Sequence, residues 1–378
     1  MKLRRLRSRG QHSVPVLGMV AVTLAAIMCG CGGNGSPVDP KLSAALAGPT
    51  PSPASARALL RSPAPGAPAR DRLTEMVHGD GGLGRDGAAA GRILAASAQG
   101  PSPHAVALVA EAVKVLAGSG APGSQFSGLW AGVATALAEQ SAGVAQTLSV
   151  GLPGTAVPSV PFDAPSVTTV VLRIARVPVA YQELADAQVR ALGAALERSA
   201  GDTAGRPLGA RQTALQQATS ENVAALGYDA AAWDRVQSGA PGPLAAGADE
   251  GVGLGPSDSV PPAPGPTNRQ GTSGRGSEVA GARKIAVLSL FGILLRDRIY
   301  PLNSSPQSYL EMTGNPTFVD ARGAPLSARQ FGGPTGGDRY GSMLGWAMSG
   351  ADPDAYSLVG QTWAEATGQA ARLYAHAG

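Results

Sequence analysis

The sequence predicts a mainly α protein: helical hairpins joined by Gly/Pro-rich linkers, with a disordered N-terminal tether. Three observations predict it. Apolar residues recur at helical spacing between Ala105 and Val236 and again beyond residue 282. Several of these stretches open on a capping hydroxyl or a proline and close on glycine, the punctuation of helices. One β-branched run, Val167 to Ile174, could form a strand, and no second run stands ready to pair with it. The chain accordingly divides into an export segment (1–30), a tether (31–70), a helical domain (71–238), a linker (239–281) and a C-terminal helical segment (282–378).

The export segment opens with Lys2, Arg4, Arg5, Arg7 and Arg9 and carries no acid. An uncharged stretch from Val14 to Met28 follows, and then Cys29-Gly30-Cys31-Gly32-Gly33. A basic head, an apolar segment of about 7–15 residues and a small-residue exit describe a secretory signal. The apolar run is shorter than the roughly 20 residues a membrane-spanning helix needs. Gly30 before Cys31 resembles the lipobox of bacterial lipoproteins, a resemblance confined to the first 31 residues. Met28 and Cys29 stand where Leu and a small residue are usual; cleavage before Cys29 would fit worse, because Met28 would then precede the cut. The resemblance implies that Cys31 becomes the mature N-terminus and carries acyl chains such as palmitate. Gly32 supplies no retention signal of the aspartate type. That implies a lipid-anchored protein of the cell envelope, at the outer membrane where one exists and otherwise on the outer face of the cytoplasmic membrane. The alternative is an ordinary signal cleaved nearby, leaving an unmodified secreted protein.

Export changes how the charge reads. The chain has 30 basic and 26 acidic residues, but five of the basic ones lie in the signal, so from Cys31 onward the balance is 25 against 26. The basicity belongs to the export segment and implies no nucleic-acid partner. Both cysteines, Cys29 and Cys31, lie in the same segment, so stability falls to core burial without a disulfide. That core is built mostly from Ala, Val and Leu, since Phe, Tyr and Trp number only 5, 7 and 4. Gly (52) and Pro (31) make up a little over a fifth of 378 residues, just below the level of about 25–30% that marks low complexity.

Residues 32 to about 70, spaced by Pro, Ala, Ser and Gly, read as a semi-stiff spacer with one marginal helix near Ala54 to Arg61. Ser102-Pro103 opens a helix through Ala117 that is apolar nearly all round and therefore belongs inside. Gly118 to Pro122 ends it, and Phe126, Leu129, Trp130, Val133, Leu137, Val144 and Leu148 mark the next helix, an antiparallel neighbour. Proline breaks the pattern at 151–166. The run Val167 to Ile174 is strand or buried helix, with helix favoured. Tyr181 to Arg198 and Leu208 to Leu226 form a second hairpin; Gly227 reads as its stop, and Asp229 as the cap of a short helix carrying Trp233 and Val236. From Gly239 to Gly281 the composition is that of a linker. Ile285 to Leu295 reads as a core helix, or else as a helix lying on a membrane surface, and is too short to span one. Irregular chain follows to Pro334, then helices over Tyr340–Met348 and from Pro353.

Catalytic patterns are sparse. His12 is in the signal, and His78, His104 and His376 lie far apart without a second ligand at zinc spacing. There is no G-x-S-x-G elbow, and Gly251 to Pro256 lacks the strand and helix of a dinucleotide fingerprint. The cluster from His78 to Gly87 lacks the alternating carboxylates of a calcium loop and reads as a turn. Arg296-Asp297-Arg298 reads as a solvated helix end and Asp320-Ala321-Arg322 as a surface turn. No catalytic, cofactor-binding or metal residue is assigned; the one modified residue expected is Cys31. The residues favour a non-catalytic scaffold that meets the membrane through its lipid and a second envelope protein through its helices. The alternative is a binding module for a small or lipidic ligand, its pocket lined by Trp130, Trp233, Trp346 and Trp363. An enzyme using scattered Asp, Glu and Arg ranks third.

Overall fold

The computed structural model describes residues 40–61, 70–78, 86–100, 102–118, 122–152, 161–238, 277–301, 304–326 and 336–376. Those residues are mainly α. They form α1 (Pro40–Ala47), α2 (Pro53–Leu60), α3 (Arg70–His78), α4 (Ala88–Ala98), α5 (Pro103–Ala117), α6 (Ser127–Glu139) and α7 (Ser141–Leu148). There follow α8 (Ala164–Ala175), α9 (Pro178–Asp202), α10 (Leu208–Ser238), α11 (Ser277–Arg296), α12 (Pro306–Thr313), α13 (Gly336–Trp346) and α14 (Pro353–His376). A π-helical turn, Ala347–Ala351, joins the last two. Among the described residues the only β pairing is an isolated bridge, Val319 to Pro325.

Local chemistry explains where most helices begin. Proline stands in the first turn of α2, α5, α8, α9 and α12, where its missing N–H costs nothing. Ser52, Asp163 and Ser305 accept the N–H three residues on, at 3.2, 3.0 and 3.1 Å. The ambiguous β-branched run is α8, capped by Asp163. Val167, Val170, Val171 and Ile174 are all fully buried, so packing decides against a strand.

The buried side chains gather in two clusters, and the long helices belong to both. The first holds residues of α1 to α8 together with Ala180, Tyr181, Tyr228, Ala366 and Tyr374. The second holds Leu192 and Leu196 of α9, Leu215 and Val223 of α10, the apolar face of α11, and Trp346, Val359 and Trp363. The described helices thus form one packed unit, with α10 lying against α9 on one side and α14 on another. The helices beyond residue 277 are built into the same body as those before 238.

Several expectations change. The spacer read to residue 70 gives way at Pro40: Leu42, Ala56 and Leu60 are fully buried, and α1 and α2 pack on α4. Gly227 does not stop α10, which runs unbroken to Ser238. The residue sits where α14 crosses, and a Cβ there would meet that of Ala366 at 3.1 Å. Asp229 is therefore interior to a helix and caps nothing. The stretch read as one helix to Leu148 breaks at Gln140, whose φ of −108° lies outside the helical range. The linker read to Gly281 is helical from Ser277, and Pro306–Thr313 forms a helix where irregular chain was expected.

The helix that packs on α6 most extensively is α4, not its sequence neighbour α5. Glycine permits that approach: a Cβ on Gly91 would strike the Gly128 carbonyl oxygen, and one on Gly132 would strike the backbone of Gly91. The Leu129 N–H donates across the crossing to the Asp86 carbonyl at 3.1 Å.

Candidate functional site

The part of the fold least explained by packing is the junction of α9, α10 and α14 around Asp229. On the helix, Asp229 is surrounded by Ala225, Leu226, Ala232 and Trp233, at the spacing of facing neighbours. Its carboxyl is buried, with 1% of the residue exposed, and neither oxygen has a hydrogen-bond partner. Burial pushes it up from 3.8 to about 8, so the neutral acid predominates at pH 7.

Tyrosines surround this acid. Tyr374 of α14 is buried and donates its hydroxyl to the Tyr228 carbonyl at 3.1 Å. Burial first, and then the nearby Asp229, push that phenol well above its usual value. The Tyr228 hydroxyl pairs with Gln369 Oε1 at 3.0 Å, and burial raises its phenol as well. Tyr181 of α9 stacks on Trp233 with ring centroids 4.5 Å apart. Other buried polar atoms without partners lie on the same three helices: both amide atoms of Gln188, Ser220 Oγ, Asn222 Oδ1 and Thr362 Oγ1. Chemically the junction holds a weak acid closed off from water, and among the described residues no group of His, Cys, Asp or Glu stands there to hold a metal ion.

The residues singled out in the sequence are dispersed. Cys31 lies outside the described residues, as do His12, Gly251 to Pro256, and residues 79–85 of the glycine cluster. At that cluster's edge Asp86 Oδ1 accepts the Ala88 N–H at 3.0 Å, a turn that leads into α4. His78, His104 and His376 stand on three different helices, and among the described residues no group of three His, Cys, Asp or Glu could hold a metal ion. No helix among the described residues is long and apolar enough to cross a membrane.

The four tryptophans do not meet around a pocket. Trp130 is in the first cluster, its Nε1 donating to the Gly123 carbonyl at 3.1 Å, and Trp233 lies at that cluster's edge. Trp346 and Trp363 are in the second, where Trp346 Nε1 donates to the Ser304 carbonyl at 2.7 Å. Phe318 and Tyr300 pack against Trp346 with centroids 5.6 and 5.4 Å away. Two shallow surface depressions are open to solvent: one lies on α9 beside Glu183 and Arg190, the other between Arg198 and Glu221.

Arg296 lies at the solvated helix end expected of it and is ion-paired there. Its guanidinium forms a fork to both oxygens of Glu197 on α9 and also reaches Asp297. The hydrogen bond from Arg296 holds both carboxylates below their usual range. Asp320 behaves as read: its Oδ1 accepts the N–H groups of Arg322 and Ala324 at 2.8 and 2.9 Å.

Sequence reading took Asp229 for a helix cap and missed its burial. A faint signal for it exists, an acid with apolar residues at positions three and four away on both sides.

No known protein family, curated protein or solved structure matches this chain.

Proposed function

We propose that the protein is exported, anchored to the cell envelope by a lipid on Cys31, and works there as a non-catalytic interaction scaffold. The observation that carries this reading is the first 33 residues: five basic side chains, an uncharged stretch to Met28, and Gly30-Cys31-Gly32-Gly33. The helical body supports it in a second way. Its long helices α9, α10 and α14 take part in both buried clusters, which makes a stiff support for presenting a surface. The anchor sets the location; the helices meet the partner. The test compares the native chain with Cys31→Ser in fractionated cells. The reading expects the native chain to float with membranes and to crosslink to an envelope protein, and the variant to lose both. A variant that stays on the membrane, or a native chain that is soluble, overturns the anchor. Turnover of a substrate by the purified native protein, without any crosslinked partner, overturns the scaffold.

A further inference from the structure

The last turns of α14 are attached differently from the rest of that helix. Val359 and Trp363 anchor its first half in the second cluster. From Ala366 onward the buried contacts are Ala366, Ala370 and Tyr374, while Leu373 is 37% exposed. Against α10 this stretch meets Gly227, again a small residue. One aromatic ring therefore carries most of the apolar area holding the helix end, and Gly368 within it lowers its intrinsic helicity. The Tyr374 hydroxyl is bonded to the carbonyl of Tyr228, the residue before Asp229, whose carboxyl oxygens have no hydrogen-bond partner and whose charge acts on that phenol.

We propose that Asp229 makes the end of α14 a pH-gated flap: the neutral acid keeps residues 366–376 docked on α10, and its ionisation accompanies their release. A carboxylate in this junction would lack a donor: neither Asp229 oxygen has a hydrogen-bond partner, and the Tyr374 hydroxyl is committed to the Tyr228 carbonyl. Lifting the helix end admits water to the carboxylate and removes the cost of its burial.

The surrounding groups leave Asp229 as the one that titrates. On α10 itself Tyr228 is bonded to Gln369, and Arg372 of α14 acts on that phenol. On α9 the facing phenol is Tyr181, stacked on Trp233. On α8 the sole ionisable side chain is Arg173, which is bonded to the carbonyls of Leu116 and Gly118. Helix α7 carries no ionisable side chain. On α11, Arg296 pairs with Glu197 and with Asp297 just past the helix end, and Lys284 sits 4.8 Å above the Tyr340 ring. Burial moves the Tyr228 and Tyr374 phenols further from the range in which Asp229 changes. His376, two residues beyond Tyr374, is handled by substitution.

The experiment is amide hydrogen exchange on the purified chain from pH 5 to 9, corrected for the intrinsic rate. Opening should become about tenfold more favourable per pH unit up to the transition and then level off. This slope should appear in peptides covering 366–376 at much lower protection than in α4, whose amides open only with global unfolding, and should persist in His376→Gln. It should vanish in Asp229→Asn and in Asp229→Leu; the second keeps the test valid if the first folds poorly. A flat profile in the native chain overturns the proposal. So does a slope that survives both Asp229 variants, one that is lost in His376→Gln, or protection of 366–376 equal to that of α4 at every pH, which would be global unfolding.

Discussion

Replacing Gly132 by Ala tests the packing of α4 on α6 at its tightest point. A Cβ at this position would overlap the Cα, C and O atoms of Gly91. Those are backbone atoms of a buried helix, so no side chain can swing aside; α4 must move away from α6. Overpacking of this kind costs about 1–3 kcal/mol, and the backbone-to-backbone clash places Gly132→Ala at the upper end, about 3 kcal/mol. Gly193→Ala is the matched control, since α9 is open there and nothing lies within 4 Å of an added Cβ. The alanine's better helix propensity should make that variant more stable by about 0.5–1 kcal/mol. Urea unfolding followed by circular dichroism and by Trp130 emission reads both, Trp130 being buried on α6 itself. If Gly132→Ala lies within about 0.5 kcal/mol of the native chain, or if the two substitutions cost the same, the close crossing is wrong.

Other expectations follow from particular contacts. Asp229 should give stability an unusual pH dependence. Its folded value of about 8 lies above the ordinary 3.8, so its contribution is complete below pH 4 and is lost as pH rises to about 8. The stability difference between Asp229→Asn and the native chain should therefore grow by about 1.4 kcal/mol per pH unit across that window in urea titrations; a constant difference contradicts the burial. Glu197→Gln should cost less than about 1 kcal/mol, because the Arg296 and Glu197 side chains are 46% and 53% exposed and water screens the pair. A loss well above that in thermal melts would mean the pair is buried. Arg173→Met removes the guanidinium that closes the end of α5 on the Leu116 and Gly118 carbonyls, and should lower stability by about 1–2 kcal/mol. Asp163→Ala should cost about 1 kcal/mol through loss of the cap on α8, read by the same melts.

Helix identity was legible wherever local chemistry and periodicity agreed. Ser102-Pro103 and Gly118 bracket α5 as read, and the α9–α10 hairpin forms where Leu184, Leu192 and Leu196 mark a stripe. Boundaries failed where a distant helix overrode a local signal. Gly227 looks like a terminator on its own; the structure uses it as the notch that admits Ala366 of α14. Neighbours in sequence also misled: the α4–α6 pairing depends on Gly91, Gly128 and Gly132 allowing backbone contact, which periodicity does not report. In α1 and α2, short helices look marginal until Leu42 and Leu60 find a core to enter. The Asp229 junction was hidden for a related reason. An acid's ordinary place is the surface, and only the crossing of three helices buries this one.

The central claim is the anchor on Cys31, and intact mass spectrometry of the N-terminal peptide from native membranes tests it most directly. The account predicts a mature chain beginning at Cys31, heavier by thioether-linked acyl chains. A chain starting with Met1, or a peptide beginning near Cys31 without acyl groups, would contradict it.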